Sequence, residues 1–391
     1  MISNHTMDNA DFPTSNLLPL LIGFALISAF GLAFGLHSLV VGHHHTFGTT
    51  REVPWGILIT PYFFFACLST GLCIVSSLGQ VFNVKAFQPI VSRTVFLAII
   101  TMATGLMCIT LELENPWRVG FYSLFSPHPS SNIWWKTTIY SFYLIFMIFN
   151  FILLLLKRQK QARIFATIAF VLVTLGNLNM NSDMAILGTR GFWSENYMPL
   201  YFLSLSTLTG CAAILFFFWF SKKIGGQRDN SESESENITS GTSKLFMGIL
   251  VGILYFTAVK MMGGFFPQFT KNPEAMFLLV RGSFALNFWL GEVGLAVLLP
   301  FLIVLITRGK NPTFLAIAGL SCLIGSFILF YDLVIVGQLI PHYHQYHVVG
   351  LPEYYSYTPS LHESMITMGA VFFFLAAFIG GEMILRKFSM Q

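Results

Sequence analysis

Six ionisable side chains stand within or at the ends of long apolar stretches, where inserting a charge into lipid costs at least about 2.5 kcal/mol. They are Glu112, Asp183, Lys260, Glu292, Asp332 and Glu363. Carboxylates and an amine on one side of the bilayer suit the transfer of protons between water and a buried site. They equally suit ion pairs between helices, such as Lys260 with Glu292 or Asp332, and the sequence leaves both interpretations open. Glu292 lies deepest in its stretch and most favours a functional role.

The histidines gather on one side of the predicted membrane spans, with the exception of His5. A haem held inside a helical bundle needs axial ligands that face each other from two spans, and only His37 lies well inside a span. The adjacent His43, His44 and His45 do not converge like the ligands of a built metal site. We therefore expect interfacial polar roles for these residues and no metal site.

The five cysteines all lie in apolar stretches and show no metal-ligand spacing. An iron–sulfur cluster would need several thiolates at short, regular intervals. The sequence therefore predicts neither a haem nor an iron–sulfur cluster held by this chain itself.

The composition is that of a protein whose solvent is a lipid bilayer. Of 391 residues, 55% are hydrophobic and only 10% are charged, far from the balance of a soluble domain. The net charge of +4 is too small to indicate nucleic-acid binding. The composition therefore predicts the lipid bilayer, and no nucleic acid, as a binding partner.

Ten segments are long and apolar enough to span that membrane, since a helix needs roughly 20 mostly apolar residues to cross about 30 Å of hydrocarbon. The sequence thus predicts an all-α integral membrane protein of about ten transmembrane helices. The segments are 17–41, 56–82, 94–111, 137–156, 164–186, 200–220, 245–266, 283–306, 314–336 and 361–384.

Lysine and arginine are divided unequally between the two sides of these spans. Fourteen of the 21 lie in the even-numbered connections and the C-terminal segment, whereas six lie in the odd-numbered connections. Cytoplasmic loops retain the excess of positive charge. We therefore predict that the N- and C-termini are cytoplasmic and that the five odd-numbered connections are periplasmic.

The sixth connection, residues 225–242, is rich in serine and glutamate and has no apolar anchors. Such a composition favours a flexible polar linker. We predict one polytopic membrane domain over residues 1–391, in which this cytoplasmic linker separates six helices from four.

The odd-numbered connections are rich in tryptophan and tyrosine. These residues concentrate at membrane interfaces in any case, which accounts for most of them. The third, seventh and ninth connections are also long, and long aromatic loops favour a docking surface for a protein partner.

Five short motifs occur in order along the chain. They are Pro54-Trp55-Gly56 followed by Tyr62, Ser69 and Gly71; residues 112–116 (ELENP) with 127–131 (PHPSS); Trp193, Pro199 and Gly210; Phe288-Trp289 with Glu292 and Pro300; and residues 357–360 (YTPS) with Glu363. Together they resemble the NrfD or polysulfide-reductase membrane-subunit family. The likeness is strongest to its ten-helix branch, which includes the membrane subunit of periplasmic nickel–iron hydrogenase.

The resemblance implies a haem-free helical bundle in the bacterial inner membrane that binds menaquinone or ubiquinone near the periplasmic face. It also implies a periplasmic partner, a ferredoxin-like iron–sulfur subunit that exchanges electrons with the bundle. That subunit would serve a catalytic subunit, which in the family is a molybdopterin enzyme, a hydrogenase or a multihaem cytochrome. The resemblance is compatible with electron flow in either direction, from quinol to the partner or from the partner to quinone.

Transferred to this chain, the resemblance suggests Glu112 and Asp183 as proton acceptors at the quinone head group. His37, Tyr62 and Trp55 are the further candidates for quinone binding. The remaining carboxylates, at positions 292, 332 and 363, would extend a proton path.

The chain departs from the family pattern at several of these places. The acidic residue of the third span is Glu112, where aspartate is common, and Glu114-Asn115 replaces a Gly-Arg pair. A histidine of the hydrogenase-type relatives is missing within residues 179–183, and an arginine is replaced within residues 330–332. These changes put the quinone ligands and the proton route in question, but not the family.

Two other functions remain as alternatives. A secondary transporter would bind its substrate at charges near the midplane and would show broken helices in corresponding halves, a pairing that the Gly and Pro positions do not show. A membrane anchor without quinone chemistry is the second alternative, and quinone-analogue binding would distinguish it.

Overall fold

The protein is an all-helical, multi-pass membrane protein. Its computed structural model describes residues 17–180, 191–193, 195, 197–225, 232–270, 272–346 and 350–389, and no strand occurs among them. Within these ranges ten helices are long and apolar enough to cross a membrane, which confirms the predicted fold class. They are α1 Leu17–Val41, α2 Ile59–Gln80, α3 Val91–Glu112, α4 Asn132–Leu155, α5 Gln159–Leu178, α6 Met198–Gly225, α7 Glu232–Phe265, α8 Asn287–Thr307, α9 Pro312–Val336 and α10 Leu361–Ser389.

Helix α2 is the centre of the bundle, because 89% of its most apolar window is buried inside the protein. It packs against α3 and α6, and α6 packs in turn against α9. Close approach of α2 and α6 depends on facing glycines: a Cβ on Gly71 would lie 1.8 Å from the Ser206 carbonyl oxygen, and one on Gly210 would lie 2.4 Å from the Gly71 carbonyl carbon. Small residues at such contacts allow membrane helices to pack tightly.

Helix α1 lies at the outside of the bundle and packs chiefly along α10. Only 11% of its apolar window is buried by the protein, so most of its surface faces lipid. The first and last spanning helices are therefore neighbours.

The segment predicted as a linker is largely helical where the structure describes it. Helix α6 ends at Gly225 and α7 begins at Glu232, while Thr242 and Ser243 are buried. Serine and glutamate tolerate a helix, so α7 extends well beyond its apolar part. The flexibility of the connection stays a prediction.

Helix α8 begins as a π-helix over Asn287–Leu298 and continues as an α-helix from Leu299. Pro300 follows directly, and its ring nitrogen has no hydrogen to donate to the preceding turn. Wide turns of this kind occur frequently at functional sites. Glu292 lies inside this π-helix and is buried.

Candidate functional site

The loop that leads into α2 is fixed at Trp55. The Trp55 backbone N–H donates to Gln338 Oε1 at 2.9 Å, and Gln338 Nε2 donates back to the Trp55 carbonyl at 3.1 Å. The Trp55 ring lies 5.4 Å from the ring of Trp193, whose indole N–H donates to the Leu333 carbonyl at 2.8 Å. The loop is thus held against the end of α9.

Gly56, the next residue, lies against two carboxylates from different helices. Its N–H donates to Glu112 Oε1 at 3.4 Å. A Cβ at this position would lie 2.1 Å from Glu363 Oε1 and 3.0 Å from the Tyr357 hydroxyl. We call Gly56, Glu112, Tyr357 and Glu363 the Gly56 site. Three of the family-like motifs meet here, and the glycine of the Pro-Trp-Gly motif is required by the space that Glu363 occupies.

Glu363 is fully engaged within this site. Its Oε2 accepts hydrogen bonds from the backbone N–H groups of Gly48 and Ser360, both at 2.8 Å. Its Oε1 accepts from the Tyr357 hydroxyl at 2.7 Å, and that hydroxyl accepts from the Ile57 N–H at 2.7 Å. Glu363 thereby joins the loop after α1, the entry to α2 and the start of α10, which suits a positioning residue.

Tyr357 lies in the ninth connection, outside the spans. Burial, together with the adjacent Glu363 carboxylate, raises the pKa of the Tyr357 hydroxyl. The phenol therefore stays protonated at neutral pH and keeps donating to Glu363.

Glu112 differs from Glu363 in its hydrogen bonding. Its one hydrogen bond, from the Gly56 N–H, is long, and its Oε2 is buried without a hydrogen-bond partner among the described residues. A buried acceptor left unpaired costs about 1–3 kcal/mol. Such an atom marks the position where a ligand hydroxyl would be stabilised.

His43 adjoins Glu112, although its place in the sequence indicated only an interfacial role. It begins the short helix His43–Thr46, which buries His43 and Thr46 and exposes His44 and His45. Its ring stacks on Phe47 with centroids 4.3 Å apart, and its Nε2 is buried without a partner in the described part of the chain. The three-residue spacing of His43 and Thr46 places both on one face of a helical turn, and this spacing was the sequence signal that could have indicated their burial.

The pKa of His43, which lies between the first two spans, is lowered from its ordinary value of 6.5. Burial is the main cause, and the charge of Glu114 and a hydrogen bond with the Glu112 backbone oppose it. The imidazole is therefore neutral at pH 7, and in the tautomer that carries its proton on Nδ1, Nε2 is an acceptor with no partner among the described residues.

The other residues expected at the quinone are distributed differently. His37 lies on the exposed side of α1, where its Nδ1 is 3.1 Å from His362 Nε2 and the two rings stack. Tyr62 is buried in the first turns of α2, and Trp55 precedes Gly56 directly. Asp183 lies outside the described residues.

Lys260 and Glu292 form a buried ion pair between α7 and α8. Lys260 Nζ lies 2.7 Å from Glu292 Oε1, and the two side chains are 2% and 1% exposed. The ammonium also donates to the Tyr201 hydroxyl at 2.9 Å. This is one of the two pairings that the sequence left open.

Asp332, on α9, is not bonded to Lys260. Its Oδ1 accepts from Asn287 Nδ2 at 2.8 Å, and its Oδ2 is buried with no partner among the residues described. Asp332 nevertheless lies within electrostatic range of Glu292 and Lys260. Of the six ionisable residues singled out in the sequence, the five that the structure describes therefore form two groups, one around Gly56 and one around the Lys260–Glu292 pair.

Metal-ligating side chains do not cluster in the described ranges, where no three His, Cys, Asp or Glu residues are arranged to hold an ion. The Gly56 site and the adjacent His43 instead offer two acceptors, Glu112 Oε2 and His43 Nε2, near aromatic rings. Such a set suits an organic ligand with hydroxyl groups.

Comparison with known proteins connects this geometry to a family. The family described as polysulphide reductase, NrfD, matches residues 45–342, a range that contains Gly56 and Glu112. The C subunit of selenate reductase from Mesobacillus selenatarsenatis is 26% identical over 373 residues, which cover 82% of this chain and 83% of the relative. The Hdr-like menaquinol oxidoreductase integral membrane subunit of Archaeoglobus fulgidus is 23% identical over 370 residues, 91% of each chain.

Proposed function

The chain belongs to the polysulphide reductase NrfD family, and on this premise we propose that it is the quinone-reactive membrane subunit of a respiratory oxidoreductase complex. A relative named as a menaquinol oxidoreductase membrane subunit, similar along nearly the whole chain, supports menaquinone as the substrate, with ubiquinone as the alternative. The proposed location is the bacterial inner membrane, with the Gly56 site toward the periplasm and both termini in the cytoplasm.

The observation that carries this proposal is a pair of buried acceptors, one in the Gly56 site and one on the adjacent His43, that have no partner among the described residues. A quinol presents two hydroxyl groups that must lose their protons when it is oxidised. Glu112 Oε2 and His43 Nε2 are both buried and lack partners among the described residues, so each would accept a hydrogen bond from a quinol hydroxyl. We propose Trp55 and Tyr62 as further contacts of the head group and keep His37 as a candidate at its periphery.

In the proposed reaction, a quinol loses two protons and two electrons and leaves as quinone. One proton passes to the Glu112 carboxylate and the other to the neutral imidazole of His43. Both electrons pass to a ferredoxin-like iron–sulfur subunit, which serves a catalytic subunit of the molybdopterin, hydrogenase or multihaem cytochrome class. Reduction of quinone by the partner uses the same groups in reverse.

Glu363 acts in this proposal through its neighbours. It holds the Gly48 N–H and Tyr357 in place and thereby fixes the loop that presents Gly56 to Glu112. The carboxylates of Asp332 and Glu292 would extend a proton path into the bundle, which is supported by their burial and by the π-helix around Glu292.

The exposed helix Pro116–Phe125 supports a partner contact at the same end of the bundle. A short turn separates this helix from Glu112, and none of its residues is buried. Trp117 and Phe121 are 63% and 59% exposed. Aromatic side chains are enriched in protein interfaces, and electron transfer needs the iron–sulfur partner to lie near the quinone.

The test is Glu112→Gln in the assembled complex, with quinol-dependent turnover as the measurement. Loss of a proton acceptor is expected to lower turnover about 100-fold or more. Glu353→Gln, the same change at an exposed residue of the ninth connection, is the matched control and should retain most activity. Partner co-purification checks assembly. Unchanged turnover in Glu112→Gln would remove Glu112 from the mechanism, and absent binding of a quinone analogue by the wild type would favour the anchor.

A further inference from the structure

A cavity opens at the end of the bundle opposite the Gly56 site, between the beginnings of α3 and α9, the end of α6 and the first turns of α7. It has a volume of about 240 Å³. Its polar lining includes Arg93, Lys222, Trp219 and Thr242, and its apolar wall includes Phe218 and Leu315. A cationic mouth above an apolar wall is the arrangement that a lipid headgroup and its acyl chain require.

Two neighbouring cavities at this end of the bundle are also lined by basic residues. They have volumes of about 630 and 780 Å³, share Asn83 and Gln88 with each other, and the larger one shares Pro89 with the first cavity. Among the described residues, neither an aspartate nor a glutamate lines any of the three. Their basic residues are Lys85, Arg93, Lys160, Arg163, Lys222 and Lys244.

Arg93 is oriented by an acidic residue that is itself held in place. Arg93 Nε lies 3.9 Å from Glu382 Oε1, and Glu382 Oε2 accepts from the Ser221 hydroxyl at 2.6 Å. The terminal nitrogens of the Arg93 guanidinium have no partner within the described ranges, and 27% of the side chain is exposed. These nitrogens are planar donors suited to phosphate oxygens.

Thr242 is the second observation that indicates a ligand. Threonines in this bundle commonly donate to the carbonyl four residues earlier, as Thr94 and Thr104 do. Thr242 is fully buried and lines the cavity, yet its hydroxyl has no partner among the described residues. A ligand oxygen in the cavity would satisfy it.

We propose that this cavity binds the phosphate of an anionic phospholipid, held by Arg93, Lys222 and Thr242. The acyl chains follow the lipid-facing side of α9, where Phe314 and Ile317 are 50% and 48% exposed. Positive charge on a cytoplasmic loop is expected from membrane topology alone. A buried hydroxyl that lines a cavity and has no partner among the described residues is instead a feature of a built site. This inference is independent of quinone chemistry.

The experiment measures retention of phosphatidylglycerol by the full chain in phosphatidylcholine nanodiscs that contain a minor fraction of phosphatidylglycerol, using native mass spectrometry. Arg93→Gln should lower retention about five-fold, given the contribution of one base near a lipid surface. Thr242→Val, which leaves the charge intact, should lower it as well. Lys310→Gln, at an exposed base that lines none of the three cavities, should leave it unchanged.

Competition distinguishes the source of the phosphate. Glycerol 3-phosphate and inorganic phosphate should not displace the lipid, because neither occupies the apolar wall. Displacement by either would assign the cavity to a soluble phosphate instead and would overturn the lipid assignment. Equal loss in Arg93→Gln and Lys310→Gln would show diffuse charge attraction, and unchanged retention in both Arg93→Gln and Thr242→Val would also overturn the proposal. Monodisperse elution of each variant confirms folding.

Discussion

Gly56 and Glu363 are separated by more than 300 residues in sequence, yet a Cβ on Gly56 would lie 2.1 Å from Glu363 Oε1. The glycine is therefore part of the wall that holds the carboxylate. Neither residue has room to move alone, because Glu363 is bonded to Gly48, Tyr357 and Ser360 at the same time.

Gly56→Ala is expected to damage both stability and turnover. The added methyl group must displace Glu363 or the loop, and overpacking of this kind costs about 1–3 kcal/mol. The measurements are the thermal unfolding midpoint in detergent and quinol-dependent turnover of the complex. Gly248→Ala is the control, because a Cβ on Gly248 meets no atom within 4 Å. Equal unfolding midpoints and equal turnover in the two variants would show that the loop accommodates the added methyl group without loss of stability or activity.

His43 should determine the acidic limb of quinol oxidation. Its pKa is lowered from 6.5 by burial, so the imidazole remains a neutral acceptor at pH 7 and becomes protonated only in more acidic solution. Turnover should therefore fall as pH decreases below 6.5. His43→Gln should lower turnover and flatten this limb, whereas His44→Gln, at an exposed neighbour, should preserve it. An unchanged pH profile in His43→Gln would exclude His43 as an acceptor.

The same shift affects stability. Because the folded chain holds fewer protons on His43 than the unfolded chain near pH 6.5, this residue makes folding less favourable as pH falls through 6.5. The unfolding midpoint of the wild type should therefore decrease in this range more steeply than that of His43→Gln. Parallel curves for the two proteins would contradict the burial-driven shift.

The Lys260–Glu292 pair should show strong coupling in a double-mutant cycle. Removing one partner leaves a buried charge, which costs about 3–5 kcal/mol. Lys260→Met and Glu292→Gln should each lower the unfolding midpoint, and the double variant should recover part of the loss. Additive losses would indicate that the charges do not interact. Turnover of the double variant then tests the proton path separately, since a purely structural pair would leave it active once stability is restored.

Much of the fold was predictable because spans are encoded locally by apolar length. Ten spans were predicted and ten are found in the described residues. The errors occur where helices leave the apolar layer. Helix α7 begins at Glu232, in a polar stretch, rather than near position 245. A 3-10 segment, Lys85–Ile90, leads into α3. Hydropathy does not detect the polar residues that extend a helix beyond its apolar part.

The candidate site was predictable only in part. Glu112, Trp55 and Glu363 were selected by their types and motifs, but no local pattern states that residues near positions 56, 112, 357 and 363 meet. His37 was named as a candidate for quinone binding, whereas His43 was expected only in an interfacial polar role. The structure brings His43, not His37, to Glu112, because a single helical turn at His43–Thr46 directs that ring inward while α10 provides His362 for His37.

The bonds of Glu363 also impose an order on biogenesis. Glu363 belongs to α10, the tenth of the spanning helices, whereas the loop that it fixes follows α1. Because a ribosome delivers helices to the membrane in sequence, the hydrogen bonds between Glu363 and this loop can form only after the preceding spanning helices have been made. A nascent chain that stalls before α10 therefore lacks the carboxylate that holds this loop, and the proposed quinone site is expected to be complete only when α10 packs along α1.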